Sequence, residues 1–216
     1  VEEAFLLAAR NNTQLLAHCN GDAAVEQFLR CLESVQRQQP NLAALRPVII
    51  HGQLMCKDQM EQAARLGAVV SFFVAHVYHW GDVHIRNLGM ERAEGISPAA
   101  SALQAGIPVT FHQDSPVIPP DMLETVWCAV ARRTESGVLL GEEERISVEQ
   151  ALECVTKNGA YQYFQEDRKG KIAEGMTADL VILSQDPLTT PIQQLREIQV
   201  LQTYKNGYCV YTRQDN

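Results

Sequence analysis

Histidines and one aspartate recur in this sequence at similar positions, directly after short apolar runs. His18 follows TQLLA, His51 follows RPVII, and Asp114 follows the run IPVTFHQ. Imidazole nitrogens and carboxylate oxygens are the ligands that Zn²⁺ and other first-row divalent metals prefer in proteins. These residue types therefore indicate a metal centre, provided that the fold brings the ends of the apolar runs together.

More imidazole and aromatic side chains surround the third and fourth apolar runs. We predict that six of them bind substrate beside the metal centre, on a long loop over residues 76–88 or at the end of the fourth run: His76, Tyr78, His79, Trp80, His84 and His112. A single histidine at a strand end is more often a structural residue than a ligand. His112 is therefore equally suited to orienting Asp114, and Tyr78 and Trp80 are equally suited to packing. Among the three loop histidines we expect one contact with substrate or metal, while the other two shape the loop.

The apolar runs alternate with amphipathic helical patterns. Strands are predicted over residues 13–19, 46–52, 68–77 and 107–114, and helices over 21–39, 57–66, 98–105 and 121–133. Another helix is predicted to begin at Ser147, because Gln150 completes a capping-box pattern. Alternation of this kind predicts an α/β fold with a parallel sheet, which binds ligands at the carboxyl ends of its strands. The candidate residues should therefore converge on one rim.

The character of the chain changes near residue 169. The segment KGKIAEGMTADLVIL is β-rich and punctuated by glycine, and two short strands flank Asn206-Gly207, a strong hairpin signal. We therefore predict two regions: a β/α domain over residues 1–168 and a small β region over residues 169–216.

Composition excludes several classes of partner. The 216 residues carry a formal net charge of −8, which argues against nucleic acid and against a membrane surface, since both attract basic patches. No apolar run approaches the ~20 residues of a membrane span, and no secretory signal is visible. The six cysteines form no C-x-x-C pair and lie mostly in apolar patterns, so we expect reduced thiols in a cytoplasmic protein.

Four segments resemble motifs of the amidohydrolase superfamily, in the branch that contains N-substituted formamide deformylase. HCNGDAAV, which starts at His18, resembles H-x-x-G-D-x-A, and RPVIIHGQ at 46–53 resembles R-x-x-I-x-H-x-Q. FHQDSPVIPP at 111–120 is similar to the carboxylate segment of that branch. KGKIAEGMTADLVIL at 169–183 resembles the superfamily ending G-x-I-x-x-G-x-x-A-D-L-V-x-L. The resemblance runs through essentially the whole chain, with the motifs in the family's order.

The resemblance implies the C-terminal half of a (β/α)₈ TIM barrel, strands five to eight, followed by a small β-sandwich segment. It places His18 on the fifth barrel strand, His51 on the sixth and Asp114 on the eighth. By this resemblance His18, His51 and Asp114 are metal ligands, and Asp114 is also the catalytic base. The implied reaction hydrolyses a non-peptide C–N bond, of amide or formamide type, in a small-molecule substrate through water activated by a divalent metal, with Zn²⁺ expected.

The family pattern also requires H-x-H on the first barrel strand, and none precedes His18 here. We therefore expect that the chain, which begins at Val1, is inactive alone, and that a missing N-terminal half of the barrel or a second copy covers its open sheet edges. One alternative is a non-catalytic ligand-binding or regulatory half-barrel. Another keeps the fold but changes the chemistry to deamination or decarboxylation. An upstream H-x-H segment would favour the hydrolase, whereas a start codon just before Val1 would favour the binding module.

Overall fold

The computed structural model describes residues 1–214, so positions 215 and 216 of the predicted 169–216 region lie outside the described residues. A four-stranded parallel sheet has the order β1-β2-β3-β4, with β1 Leu16–Cys19, β2 Val48–His51, β3 Val69–Phe72 and β4 Val109–Phe111. An antiparallel sheet follows, with β5 Leu180–Leu183, β6 Val200–Lys205 and β7 Tyr208–Thr212. The predicted α/β fold with a parallel sheet is confirmed.

Helices connect the parallel strands and cover the sheet. They are α1 Glu2–Asn11, α2 Asp22–Gln36, α3 Lys57–Leu66, α4 His76–Leu88, α5 Met90–Glu94, α6 Ala99–Gln104, α7 Met122–Ala131, α8 Val148–Val155 and α9 Lys157–Gln162. Short 3₁₀ helices span Pro40–Leu45, Glu142–Glu144 and Ile192–Glu197. The apolar face of α2 packs with the strands in one continuous core, in which Phe28, Leu29, Ile49, Val70 and Phe72 are almost completely buried. This core fixes the strand ends that form the rim.

Three local signals in the sequence have the structures they predict. Helix α3 ends at Gly67, whose φ of +71° closes the helix in the left-handed region that suits glycine. The capping box is present, because Ser147 Oγ accepts from the Gln150 backbone N–H and Gln150 Oε1 accepts from the Ser147 N–H. Strands β6 and β7 form the hairpin at Asn206-Gly207, where both residues have positive φ.

The prediction of a long loop over residues 76–88 is wrong, because this stretch is helix α4. Val77 and Gly81 are buried four residues apart, and Ile85 continues the same face against a small cluster that includes Ile96 and Leu140. Glycine is needed at position 81, since an added Cβ would lie 2.6 Å from Thr134 Cγ2. The many polar and aromatic residues of this stretch obscured its helical periodicity, because its buried face is narrow. His76, His79 and His84 are consequently helical residues.

Strands β1 and β4 form the two edges of the parallel sheet. The smaller sheet also exposes apolar side chains, including Val181, Ile182, Tyr208 and Val210. Exposed strand edges and apolar sheet faces are features that proteins normally cover. The six cysteines are unpaired. Among residues 1–214, no helix is long and apolar enough to cross a lipid bilayer.

Candidate metal centre

The carboxyl ends of the parallel strands bring three candidate ligands together. His51, His112 and Asp114 each offer one ligand atom, and these atoms all lie within 4.8 Å of one another. His51 ends β2, whereas His112 and Asp114 follow β4, so the residues approach one another across β3. Two of the three predicted ligands, His51 and Asp114, are in this group, and its third member is His112, which the sequence assigns to substrate binding.

Two ring nitrogens in this group are buried without a hydrogen-bond partner. They are Nδ1 of His51 and Nε2 of His112. The other nitrogen of His112, Nδ1, lies 3.0 Å from Ser71 Oγ, which fixes the orientation of the ring. Buried polar atoms are nearly always partnered, and ligand histidines commonly have their second nitrogen held by a neighbouring group. The residues present therefore fit a divalent cation.

The backbone at two of these residues has an unusual conformation. His51 has a φ of +75° and Asp114 a φ of +51°, in the left-handed region that non-glycine residues seldom adopt. Such conformations cost on the order of 1 kcal/mol or more each, and they concentrate at functional sites. The fold therefore holds both side chains in place at some expense of stability.

His18 lies at the end of β1, next to this group but outside it. Its ring centroid is 4.5 Å from that of His51, and its side chain is exposed. The adjoining strands explain the contact, because β1 pairs with β2 in parallel. His18 thus stands at the rim where the sequence places it, and its ligation of a metal stays a prediction.

Four rings lie beside the group along α4, and we call them the ring wall: Phe73, His76, Trp80 and His84. The His76 ring lies 6.2 Å from that of His51, and the Phe73 ring lies 4.7 Å from that of His76 and 5.6 Å from that of His112. Trp80 and His84 continue the wall, at 5.1 and 5.5 Å from the His76 ring. Four of the predicted rim residues, His76, Trp80, His84 and His112, are therefore connected to the candidate ligands through ring contacts.

Three histidines of the rim, His51, His76 and His112, favour the uncharged form. Burial, followed by the nearby His84 and His51, lowers the pKa of His76 to about 4. Burial and the neighbouring His51 likewise lower the pKa of His112 to about 4. The pKa of His51 is also lowered, mainly by burial. Neutral imidazoles are the form that binds metals, so the electrostatics of the rim agree with its geometry.

Tyr78 and His79 make their main contacts with α7, although the His79 ring also lies 5.5 Å from that of Trp80. The Tyr78 ring packs 5.1 Å from that of Trp127 on α7, and His79 Nε2 lies 2.8 Å from Glu124 Oε1, also on α7. Both residues connect α4 to α7. The structure does not bring either of them into the group formed by His51, His112 and Asp114.

Sequence reasoning missed two polar residues that support the rim. Ser71 is 3% exposed in an otherwise apolar strand, and Gln53 is 3% exposed two residues after His51. A buried polar side chain needs a partner, so the serine within AVVSFFV was a usable signal. Gln53 is the last residue of the motif at 46–53, and nothing else in the sequence indicated that its side chain is buried.

The Amidohydrolase family model matches residues 1–211. The chain belongs to the amidohydrolase family. N-substituted formamide deformylase of Arthrobacter pascens is 30% identical over 99% of this chain and 39% of its own length. Putative amidohydrolase YtcJ of Bacillus subtilis (strain 168) is 29% identical over 95% of this chain and 39% of its own length. The chain therefore spans about 39% of the length of each of these relatives.

Solved structures agree with this assignment. An uncharacterized metal-dependent hydrolase from Pyrococcus furiosus is 28% identical and superimposes with a TM-score of 0.72, over 87% of this chain and 37% of that one. An uncharacterized metal-dependent hydrolase from Pyrococcus horikoshii OT3 is 25% identical, with a TM-score of 0.75 over 89% of this chain and 38% of that one. The amidohydrolase resemblance seen in the four sequence motifs is confirmed.

Proposed function

We propose that this protein is part of a metal-dependent hydrolase that cleaves a non-peptide C–N bond, of amide or formamide type, in a small-molecule substrate. The observation that carries the proposal is the convergence of His51, His112 and Asp114, with two buried ring nitrogens left without partners. Membership of the amidohydrolase family supports the reaction class.

The metal in this proposal is a divalent cation, with Zn²⁺ the first choice, held by His18, His51 and Asp114. His112 joins this set through its unpartnered Nε2. When bound, the metal lowers the pKa of a water molecule and polarises the scissile carbonyl group. Asp114 is exposed at the rim, where its carboxylate accepts a proton from the attacking water and returns it to the leaving amine.

Substrate in this proposal lies against the ring wall, in contact with His76, Trp80 and His84. All three rings are half-buried. Trp80 carries no charge, and the lowered pKa values of His76 and His84 keep both imidazoles neutral at pH 7. Neutral rings suit a neutral amide better than an anionic substrate. Tyr78 and His79, predicted for the same role, serve instead to hold α4 against α7, as their contacts with Trp127 and Glu124 support.

We also propose that β1 to β4 are strands five to eight of a (β/α)₈ barrel, over residues 1–168, and that residues 169–216 form a β-sandwich segment. The open edges at β1 and β4 support this, as does the coverage of only 39% of the relatives. The complementary barrel strands, or a second copy of the chain, would cover these edges. The complementary strands would also supply the H-x-H ligands. A cytoplasmic location is consistent with six unpaired thiols.

Metal analysis of the purified protein tests the site. We expect bound zinc in the wild type, and its loss in His51→Asn and Asp114→Asn. His79→Asn is the matched control, because this residue contacts Glu124 rather than the ligand group, and it should retain the metal. Equal metal content in all variants would contradict the assignment.

Activity tests the half-barrel part of the proposal. Residues 1–216 alone should not hydrolyse a panel of N-substituted amides and formamides, whereas a polypeptide that also carries the complementary strands should. Size-exclusion chromatography with light scattering should show that the chain alone self-associates. A monomeric and active preparation of residues 1–216 would overturn this part.

A further inference from the structure

Gln53 bridges two histidines of the ring wall. Its side-chain nitrogen Nε2 lies 3.1 Å from His76 Nδ1 and 2.9 Å from His84 Nε2. The two ring nitrogens are themselves 3.3 Å apart, so one amide group faces both. Gln53 is almost completely buried, and its backbone carbonyl accepts a hydrogen bond from the Ser97 N–H, which fixes the residue from the other side.

The chemistry of an amide group determines what these contacts require. An NH₂ group has two protons to donate and no acceptor, so both ring nitrogens that face it must be unprotonated acceptors. A neutral imidazole carries its single proton on one of its two nitrogens. The proton of His76 must then be on Nε2, and the proton of His84 on Nδ1.

The nitrogen of His76 that this leaves protonated, Nε2, has no partner among the described residues. Within residues 1–214, His76 Nε2 makes no hydrogen bond, and the fully buried side-chain atoms without partners are only His51 Nδ1 and His112 Nε2. His76 Nε2 is therefore not completely buried. The ring itself lies next to those of His51 and Phe73, on the side of α4 that adjoins the candidate metal centre.

We propose that Gln53 is a positioning residue that fixes His76 and His84 in defined neutral tautomers, so that His76 presents an Nε2–H donor to the carbonyl oxygen of the substrate. The donor function rests on the proposed hydrolase activity, whereas the tautomers do not. A fixed N–H next to a reacting carbonyl stabilises the negative charge that develops on its oxygen. Such a donor would favour substrates with a hydrogen-bond acceptor at this point.

Histidine-selective ¹⁵N labelling with long-range ¹H–¹⁵N correlation spectra tests the tautomers directly. The chain has six histidines, which single substitutions would assign. In the wild type we expect His76 protonated at Nε2 alone and His84 at Nδ1 alone. The opposite pair of tautomers, or rapid exchange between tautomers on both rings, would overturn the proposal.

Gln53→Glu provides the sharpest variant. A carboxylate only accepts hydrogen bonds, so the nitrogens that face it, His76 Nδ1 and His84 Nε2, should become protonated. Gln53→Leu removes the donor, and both rings should become tautomer mixtures. His79, which contacts Glu124, is the internal control and should keep its signals. Unchanged spectra of His76 and His84 in both variants would overturn the proposal, and the wild-type spectra decide it if the variants do not fold.

The kinetic consequence is tested separately in the complete, active protein. His76→Phe keeps a ring in the wall but removes the N–H, and we expect kcat to fall on the order of a hundredfold. Loss of the predicted tautomers overturns the role of Gln53, whatever the activity. The predicted tautomers with an unchanged kcat in His76→Phe would overturn only the donor function. A lack of amide hydrolysis in the wild-type protein would count against the proposed function instead.

Discussion

The hydroxyl oxygen of Ser71 lies 3.0 Å from Nδ1 of His112. Ser71 is on β3 and His112 follows β4, so the contact joins neighbouring strands at the rim. If Nε2 of His112 is a ligand, its single proton is on Nδ1, and this N–H donates to the serine oxygen. Ser71 can therefore hold the ring in the tautomer that leaves Nε2 free, by accepting from Nδ1–H.

We expect Ser71→Ala to lower metal affinity by roughly 10- to 100-fold, the usual effect of removing the group that orients a ligand histidine. Competition with a coloured chelator measures this change. Ser136→Ala is a suitable control, since its hydroxyl contacts Asp82 instead. Equal affinities of Ser71→Ala and the wild type would show that His112 needs no such partner or is not a ligand.

Trp80→Ala should change KM or substrate preference more than thermal stability. The Trp80 ring is only half-buried and contacts His76 and Phe73 on the ring wall, so its removal enlarges the space available to a substrate. Steady-state kinetics of the complete protein and thermal unfolding of the same preparations measure the two effects. A large loss of stability with unchanged kinetics would show that this ring is a packing residue.

Arg132→Met should reduce the free energy of unfolding by about 3 kcal/mol or more. Arg132 is 0% exposed, and its guanidinium donates to the backbone carbonyls of Ile96, Ser97 and Leu140. Each buried carbonyl left without a donor costs about 1–3 kcal/mol. The neighbouring Arg133 is exposed, so Arg133→Met should change stability by no more than about 0.5 kcal/mol. Urea denaturation measures both free energies of unfolding, and equal values for the two variants would contradict the prediction.

Asp179→Asn should destabilise the protein at neutral pH but much less in acid. The Asn206 backbone N–H, Lys169 and Lys205 hold the pKa of Asp179 well below its usual range. A carboxylate with a depressed folded pKa stabilises the fold above its unfolded pKa of about 3.9. This contribution is lost as the pH falls through the lower folded pKa.

The difference in melting temperature between the wild type and Asp179→Asn should therefore be largest above about pH 5 and shrink below pH 4. Scanning calorimetry at a series of pH values measures it. Glu174→Gln, at an exposed position before β5, is the control for removing a surface carboxylate. A difference that stays constant with pH would mean that the Asp179 contacts contribute little to stability.

The sequence predicted the ends of β1 and β2 well because they depend on local patterns, whereas the third predicted strand ran to residue 77 and β3 ends at Phe72. His51 and Asp114 could be placed on one rim because parallel strands with short connections share a polarity. The pairs that complete the site could not be predicted in the same way. His112 meets Ser71 across 41 positions and Gln53 meets His84 across 31, and no local periodicity encodes such distances.

Helix α4 shows the opposite failure, in which a local pattern was present but misread. Its buried face consists of only Val77 and Gly81, with glycine contributing no apolar side chain. Strand periodicity up to residue 77 and the aromatic letters after it therefore favoured a strand followed by a loop. The preference of a short segment was overridden by close packing against Thr134 and Leu140.

That close packing also separates the two sides of α4. On one side the helix packs tightly, since any side chain at position 81 would collide with Thr134. On the other side His76, Trp80 and His84 belong to the ring wall. Substitutions at positions 80 and 84 can therefore alter the shape and polarity of the wall while the helix axis stays in place. In a directed-evolution experiment, we expect substitutions at these positions of α4 to change substrate preference with little effect on the fold.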